Sequence, residues 1–170
     1  MNQHFYRKGE DLCKEPLHYT MSGLDNIYLK NGFEWEWEDG EKYLSVKDMD
    51  GLHRAIGLHI VLARKAPTGK ELRFLRNELN MSQADLAKVL SVSDQSVARW
   101  EKGHCEANGG AVFALRTIYL LSLVPVEERA ALLDGLVERL KRLADADETS
   151  DSIVLQFKDN KWRDPALLAA

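Results

Sequence analysis

Residues 68–103 read T-G-K-E-L-R-F-L-R-N-E-L-N-M-S-Q-A-D-L-A-K-V-L-S-V-S-D-Q-S-V-A-R-W-E-K-G. Three short helices are marked here in quick succession. Thr68 and Glu71 stand at capping-box spacing ahead of Leu72, Leu75 and Leu79, where hydroxyl and carboxylate each satisfy a backbone N–H of the first turn. Ser82 is placed to cap a brief second helix holding Leu86 and Val89, and Ser93 to cap a third holding Val97 and Trp100. Ala87 falls where two short helices cross closely and only a small side chain fits. Leu86, Val97 and Trp100 supply the apolar pegs that fix the third helix against the first two, so Trp100 belongs to the core. Glu101 is expected to pair within the domain.

Such a trio has helix-turn-helix geometry. The run M-S-Q-A-D-L-A-K-V-L-S-V-S-D-Q-S-V-A-R-W-E-K-G resembles the helix-turn-helix of the Xre and lambdoid phage Cro/repressor class, and the resemblance is close over residues 68–103. In that class the second helix begins with Gln against the DNA backbone. The residues opening the third helix reach base edges, and W-E-x-G closes that recognition helix. The resemblance implies a DNA-binding transcriptional repressor with a recognition helix from about Asp94 to Lys102. It places Gln83 at a phosphate and Asp94, Gln95, Ser96 and Arg99 toward the major groove of a double-stranded operator. Ser91 stands where the class usually has Gly; a positive φ there costs serine about 1 kcal/mol.

The side-chain chemistry agrees with this placement. On a helix entering the groove by its N-terminus, positions 95 and 99 lie one turn apart on one face. Arginine suits guanine O6 and N7, and glutamine suits adenine N6 and N7, each good bidentate pair discriminating by roughly 1–3 kcal/mol. Ser82, Gln83, Lys88 and Lys102 read as clamps on the DNA backbone, which orient the domain without carrying sequence information. Asp94 has two readings, a helix-dipole residue or an acceptor for cytosine N4.

The charge distribution points the same way. The 170-residue chain is 45% hydrophobic with a net charge of -4. Residues 1–62 carry 7 basic and 11 acidic side chains, residues 63–103 carry 8 and 5, and residues 104–170 carry 8 and 11. Only the middle segment is basic, which confines phosphate attraction to one region and argues against indiscriminate coating of nucleic acid.

Outward from the centre, residues 27–46 have the pattern of strands. Phe33, Trp35 and Trp37 alternate with Glu34, Glu36 and Glu38 ahead of Asp39-Gly40. A two-residue turn there sets Trp35 opposite Leu44, Phe33 opposite Val46 and Glu38 opposite Glu41. Asn31-Gly32 is expected to be a second, longer or bulged hairpin connection. Asp48 or Asp50 then caps a connecting helix with Leu52, Ile56 and Ile60 inward and Arg64 and Lys65 in its last turn, ended by Pro67. After an E-A-N-G-G loop, residues 111–123 form an apolar helix that Pro125 breaks. Residues 126–144 form an amphipathic helix with Leu133, Leu136, Val137, Leu140 and Leu143 along one face. A polar linker, a short strand at 153–157 and a tail complete the chain. The expected fold is α+β, mainly α. A strand-rich N-terminal unit with its connecting helix spans 1–66, a helix-turn-helix multi-helix domain spans 67–146, and linker, strand and tail span 147–170.

The stretches H-Y-T-M-S-G-L-D-N-I-Y-L-K-N-G-F and Gly51-Leu52-His53-Arg54-Ala55-Ile56, followed by R-F-L-R-N-E-L-N-M-S-Q-A-D-L-A, resemble the MqsA-type antitoxins and their regulator relatives. In those, an N-terminal zinc domain held by two C-x-x-C motifs precedes the helix-turn-helix. This chain has only Cys13 in that half, and His4, His18, His53, His59 and His104 show no ligand spacing, so no metal or cofactor is expected. No H-E-x-x-H, G-x-S-x-G or phosphate-binding glycine loop points to an enzyme. The longest apolar runs are too short to span a bilayer and no leader is evident, so a cytoplasmic protein without a membrane partner is expected. A homodimer is expected, since one short helix reads few base pairs, with the helix at 126–144, alone or with residues 111–123, as the interface and strand 153–157 as the second choice. The acidic hairpin is either a plain solvated face or a surface that covers a basic toxin. A stand-alone regulator, or an interaction module without a toxin, is the rival.

Overall fold

The computed structural model describes residues 12–145 and 151–168. Its fold is α+β and mainly α. Contacts group the chain into two compact units, Met1–Ile56 with Ser150–Ala170, and Gly57–Thr149. The second unit is thus an insertion in the first.

The first unit holds a four-stranded sheet of β1 (Leu17–His18), β2 (Ile27–Leu29), β5 (Ile153–Lys158) and β6 (Lys161–Arg163), in that order. β2 runs antiparallel to β1 and parallel to β5, and β6 returns antiparallel to β5. A parallel pair needs a long crossover, and here residues 57–149 lie wholly within it. Ile27, Leu29, Ile153, Leu155, Phe33, Leu52 and Ile56 are completely buried. Each such side chain contributes roughly 1.5–3 kcal/mol of hydrophobic stabilisation.

Two expectations are corrected in this unit. Asn31-Gly32 does not close a hairpin; it carries the chain out of the sheet. The buried Asn31 side chain continues the β2–β5 pairing, its Nδ2 donating to Phe157 O (2.9 Å) and its Oδ1 accepting from Phe157 N (2.6 Å). Gly32 has φ +76°, and a Cβ there would stand 2.7 Å from the Trp162 ring, so both conformation and space demand glycine. The C-terminal segment continues past its strand: Asp159 and Asn160, both at positive φ, turn it into β6. Trp162 packs edge-on against Phe157 at 5.5 Å and donates to Lys47 O (2.9 Å), and a short helix, α7 (Pro165–Leu168), follows. The linker at 146–150 lies outside the described residues.

A separate hairpin, β3 (Phe33–Glu38) and β4 (Glu41–Val46), has the register read from the sequence, with Phe33 opposite Val46, Trp35 opposite Leu44 and Glu38 opposite Glu41. Asp39 (φ 50°) and Gly40 (φ 83°) make its two-residue turn. Lys42 Nζ sits 4.1 Å over the Trp35 ring. Next comes α1 (Met49–Leu62), with Asp48 Oδ1 accepting from Gly51 N at 3.1 Å. α1 ends before Arg64 and Lys65, which were expected in its last turn. The buried Arg64 instead pairs with Glu71 (Nε–Oε1 3.0 Å).

The second unit contains α2 (Gly69–Glu78), α3 (Gln83–Leu90), α4 (Asp94–Glu101), α5 (Gly109–Leu123) and α6 (Arg129–Asp145). Capping boxes form at Thr68/Glu71 and Ser82/Asp85, and Ser93 accepts from Ser96 N, so the three predicted starts are observed. Leu72, Leu75, Leu86, Ala87, Val97 and Leu115 build the core. α5 begins two residues earlier than expected because Asn108 caps it, accepting from Ala111 N at 2.8 Å. Arg116 on α5 donates to the carbonyls of Ile60, Val61, Arg64 and Lys65, satisfying acceptors that the end of α1 leaves open. The helix expected at 126–144 begins as a 3-10 turn, Val126–Glu128, after Pro125. Its apolar stripe divides: Leu136 is 3% exposed, whereas Leu133 and Val137 are 43% and 51% exposed.

Candidate nucleic-acid interface

The face that α4 presents follows from its period. Val97, Trp100 and Glu101 turn inward at i, i+3 and i+4, which leaves Asp94, Gln95 and Arg99 outward, with Lys102 exposed at the C-cap. Gln95 and Arg99 are separated by about 6 Å along the helix axis, close to two base-pair steps of ~3.4 Å. Asp94 Oδ1 accepts from Gln95 N (2.9 Å), placing a carboxylate at the positive end of the helix dipole. Ser96 is half-buried, with its hydroxyl 2.8 Å from Ser93 Oγ, so its first task is local to the helix start.

The positions read as backbone clamps differ in freedom. Lys88 and Lys102 are exposed. The Ser82 hydroxyl donates to Asp85 Oδ2 (2.6 Å) and accepts from Asp85 N (3.1 Å), which makes it a capping group first. That hydroxyl, the Ser82 backbone N–H and then Lys88 hold the Asp85 pKa below its ordinary value, against a smaller opposing desolvation. Gln83 is half-buried, and its Nε2 donates to Glu101 Oε2 (2.8 Å), using one of the two amide hydrogens.

That bond belongs to a network that sequence reading located only at Glu101. Arg76 grips Glu101 with two bonds, Nε to Oε1 (2.6 Å) and Nη2 to Oε2 (3.0 Å), while its Nη1 donates to Met81 O (2.7 Å). One buried pair therefore ties α2 to the end of α4, and through Gln83 to the start of α3. Nothing in local spacing selects Arg76 as the partner, because it lies 25 residues from Glu101. Ser91 has φ 55° and ψ 42°, the left-handed conformation expected of the turn.

Charge at this surface is set by what is buried. Arg64 and Arg76 are neutralised inside by Glu71 and Glu101. The cations left at the surface of residues 63–103 are Lys65, Lys70, Arg73, Lys88, Arg99 and Lys102. They face fewer acids, since Glu78 is half-buried and only Asp85 and Asp94 are exposed. The local positive balance seen in the sequence survives folding.

In the first unit the β3–β4 hairpin has two chemically distinct faces. Glu34, Glu36 and Glu38 share one with Tyr43 and Glu41, and Trp35 and Trp37 share the other with Leu44 and Lys42. Trp37 is 58% exposed. Cys13 is buried, its thiol donating to Glu15 O at 3.0 Å, and His18 stacks on Tyr28. Among the described residues, no group of three or more His, Cys, Asp or Glu side chains is arranged to hold a metal ion. No described helix is long and apolar enough to cross a membrane.

Comparison with known proteins agrees with the geometry. The Helix-turn-helix family matches residues 72–119, which begin in α2 and end in α5. The chain is similar to the HTH-type transcriptional regulator DicA of Escherichia coli (strain K12), 40% identical over 50 residues. That stretch is 29% of this chain and spans 37% of DicA. No solved structure matches the chain significantly. Residues 72–119 form a helix-turn-helix domain, consistent with the Xre-class resemblance of the sequence.

Proposed function

We propose that the protein is a sequence-specific DNA-binding transcriptional regulator, a repressor of its own operon that binds a two-fold operator as a homodimer. The observation that carries this reading is the outward stripe of Gln95, Arg99 and Lys102 on a helix whose opposite face is locked by Trp100 and the Arg76–Glu101 pair. Gln95 and Arg99 contact base edges, and Asp94 and Ser96 support the helix start at the same groove. Lys88, Lys102 and the remaining Gln83 amide hydrogen meet phosphates, with Ser82 beside them. The likeness to an HTH-type transcriptional regulator supports the regulatory role. Leu133 and Val137, exposed one turn apart on α6, support self-association.

Selection of binding sites from a randomised DNA pool, followed by mobility shifts with variants, tests the reading. Arg99→Ala loses roughly 1–3 kcal/mol and relaxes selectivity at one base position. Lys88→Ala weakens all sequences evenly and lowers the salt slope by about 1. Unchanged binding by Arg99→Ala refutes α4 as the reading helix.

The hairpin favours a second activity beside the first. Its face of Glu34, Glu36, Glu38 and Glu41 with Asp39 at the turn repels nucleic acid and suits a basic protein. With the likeness of the N-terminal half to MqsA-type antitoxins, it supports an antitoxin role toward a basic toxin. Co-expression with the neighbouring gene product measures this: a harmless neighbour that forms no complex leaves the stand-alone regulator.

A further inference from the structure

The four-stranded sheet of the first unit has an outer face that neither the helix-turn-helix nor the acidic hairpin uses. Alternation along its strands sends Leu29, Leu155 and Trp162 into the core and their neighbours the other way. Along β5 the outer face forms three rows. In the first, exposed His18 stacks on Tyr28, with ring centroids 5.0 Å apart and planes 18° from parallel, and Tyr28 lies beside Val154. In the second, Gln156 lies beside Arg163, and Lys30 joins them from the end of β2, whose pairing its N–H continues to Leu155 O (3.1 Å). In the third, Lys158 and Lys161 stand directly opposite each other, both exposed. The strands of this sheet contain no acidic residue. Around them, acids lie in the adjoining connections, where Asp159 Oδ2 accepts from Arg163 Nη2 at 3.0 Å.

Two observations indicate that this face meets a polyanion. Like charges set directly opposite on neighbouring strands destabilise a sheet, so the Lys158–Lys161 pair works against the fold that holds it. No described carboxylate pairs with Lys30, Lys158 or Lys161 to offset that cost. We propose that the face binds single-stranded RNA. Phosphates meet the free cations, and an unpaired base extends the His18–Tyr28 stack from the exposed His18 ring. Bases stacked within a duplex have no free face to offer, which sets this site apart from operator DNA. Between rings and cations stand the Gln156 amide and the Tyr28 hydroxyl, neither with a side-chain hydrogen bond to the described residues. Each is both donor and acceptor, as is the ribose 2′-OH, and this complementarity selects RNA over single-stranded DNA. From Val154 to Lys158 the face runs roughly 13 Å at ~3.3 Å per residue, room for about two or three nucleotides.

The probe is a fluorescein-labelled oligouridylate of about 12 nucleotides, titrated with the full-length protein at low salt and followed by anisotropy. The expected result is saturable binding whose logarithm falls with that of salt at a slope of about −2, from three free cations at ~0.7 each. His18→Ala weakens it roughly 5- to 150-fold, the range of one lost base stack. Lys158→Glu weakens it about tenfold or more and raises the melting temperature, because an opposite-charge pair replaces a like-charge one. Both positions are exposed, so the variants fold. A purely structural lysine would not give this opposition of binding and stability. Arg99→Ala leaves RNA binding intact and both sheet variants leave operator binding intact, so the readings of α4 and of the sheet fail separately. Absence of saturable binding, or RNA binding lost in Arg99→Ala and kept in Lys158→Glu, overturns the site. Polyglutamate bound as tightly as the RNA overturns the stacking, and oligothymidylate of the same length bound as tightly overturns the choice of RNA.

Discussion

The attachment of α4 to its support can be tested by removing Glu101. In Glu101→Ala the Arg76 guanidinium loses both carboxylate bonds, at 2.6 and 3.0 Å, and the Gln83 amide loses its acceptor. The two side chains are 10% and 4% exposed, so little water replaces what is lost. Arg76 keeps only its bond to Met81 O among those described above, and a buried cation is left without its counter-charge. Breaking a buried pair from one side costs about 3–5 kcal/mol. That is a large part of the ~5–15 kcal/mol that stabilises an ordinary domain. Removing both charges avoids the stranded cation, so Arg76→Leu with Glu101→Leu recovers most of the about 3–5 kcal/mol lost in Glu101→Ala. Urea unfolding of the wild type, both single alanine variants and the double variants gives the cycle, with the midpoint read at constant slope. A Glu101→Ala cost below about 1 kcal/mol, the value of an exposed pair, refutes the buried clamp. So does strict additivity of the Arg76 and Glu101 changes.

Other outcomes follow from single residues. Ser91→Gly relieves a left-handed serine and raises stability by about 0.5–1 kcal/mol, seen as a higher melting temperature, whereas Ser91→Val lowers it. Asp85 has a folded pKa below its unfolded value, so its contribution is complete above the ordinary carboxylate pKa and is lost as pH falls through the lowered one. Thermal melts from neutral to acid pH show a smaller acid loss in Ser82→Ala, and an identical profile contradicts the assignment. Leu133→Glu with Val137→Glu yields monomers in sedimentation if α6 joins two copies; these exposed positions replace Leu136, which its own chain already buries. In β5, the second candidate interface, residues 153–155 pair with β2 and residues 156–158 with β6.

The parts legible in the sequence are those whose partners lie within a few residues. Thr68 with Glu71 and Ser82 with Asp85 are each three positions apart, and the Asp39-Gly40 turn sets the hairpin register by itself. The inward and outward faces of α4 follow from helical period alone, which puts Gln95 and Arg99 on one face whatever the surrounding fold. Asn31-Gly32 shows where such reading stops. The dipeptide is a good turn former, yet its asparagine serves Phe157, 126 residues away.

Three capped helices and one hairpin thus follow from short-range sterics and hydrogen bonding, and the local excess of positive charge from composition alone. Tertiary structure alone decided that β2 pairs with β5 around an inserted domain and that Arg76, 25 residues from Glu101, completes the clamp. It also decided that Arg116, rather than a nearby residue, caps the end of α1 across 55 positions. For each of these groups the chain offers many partners of the same chemistry. Only the burial of one arrangement, where an unmade bond cannot be replaced by water, singles one out.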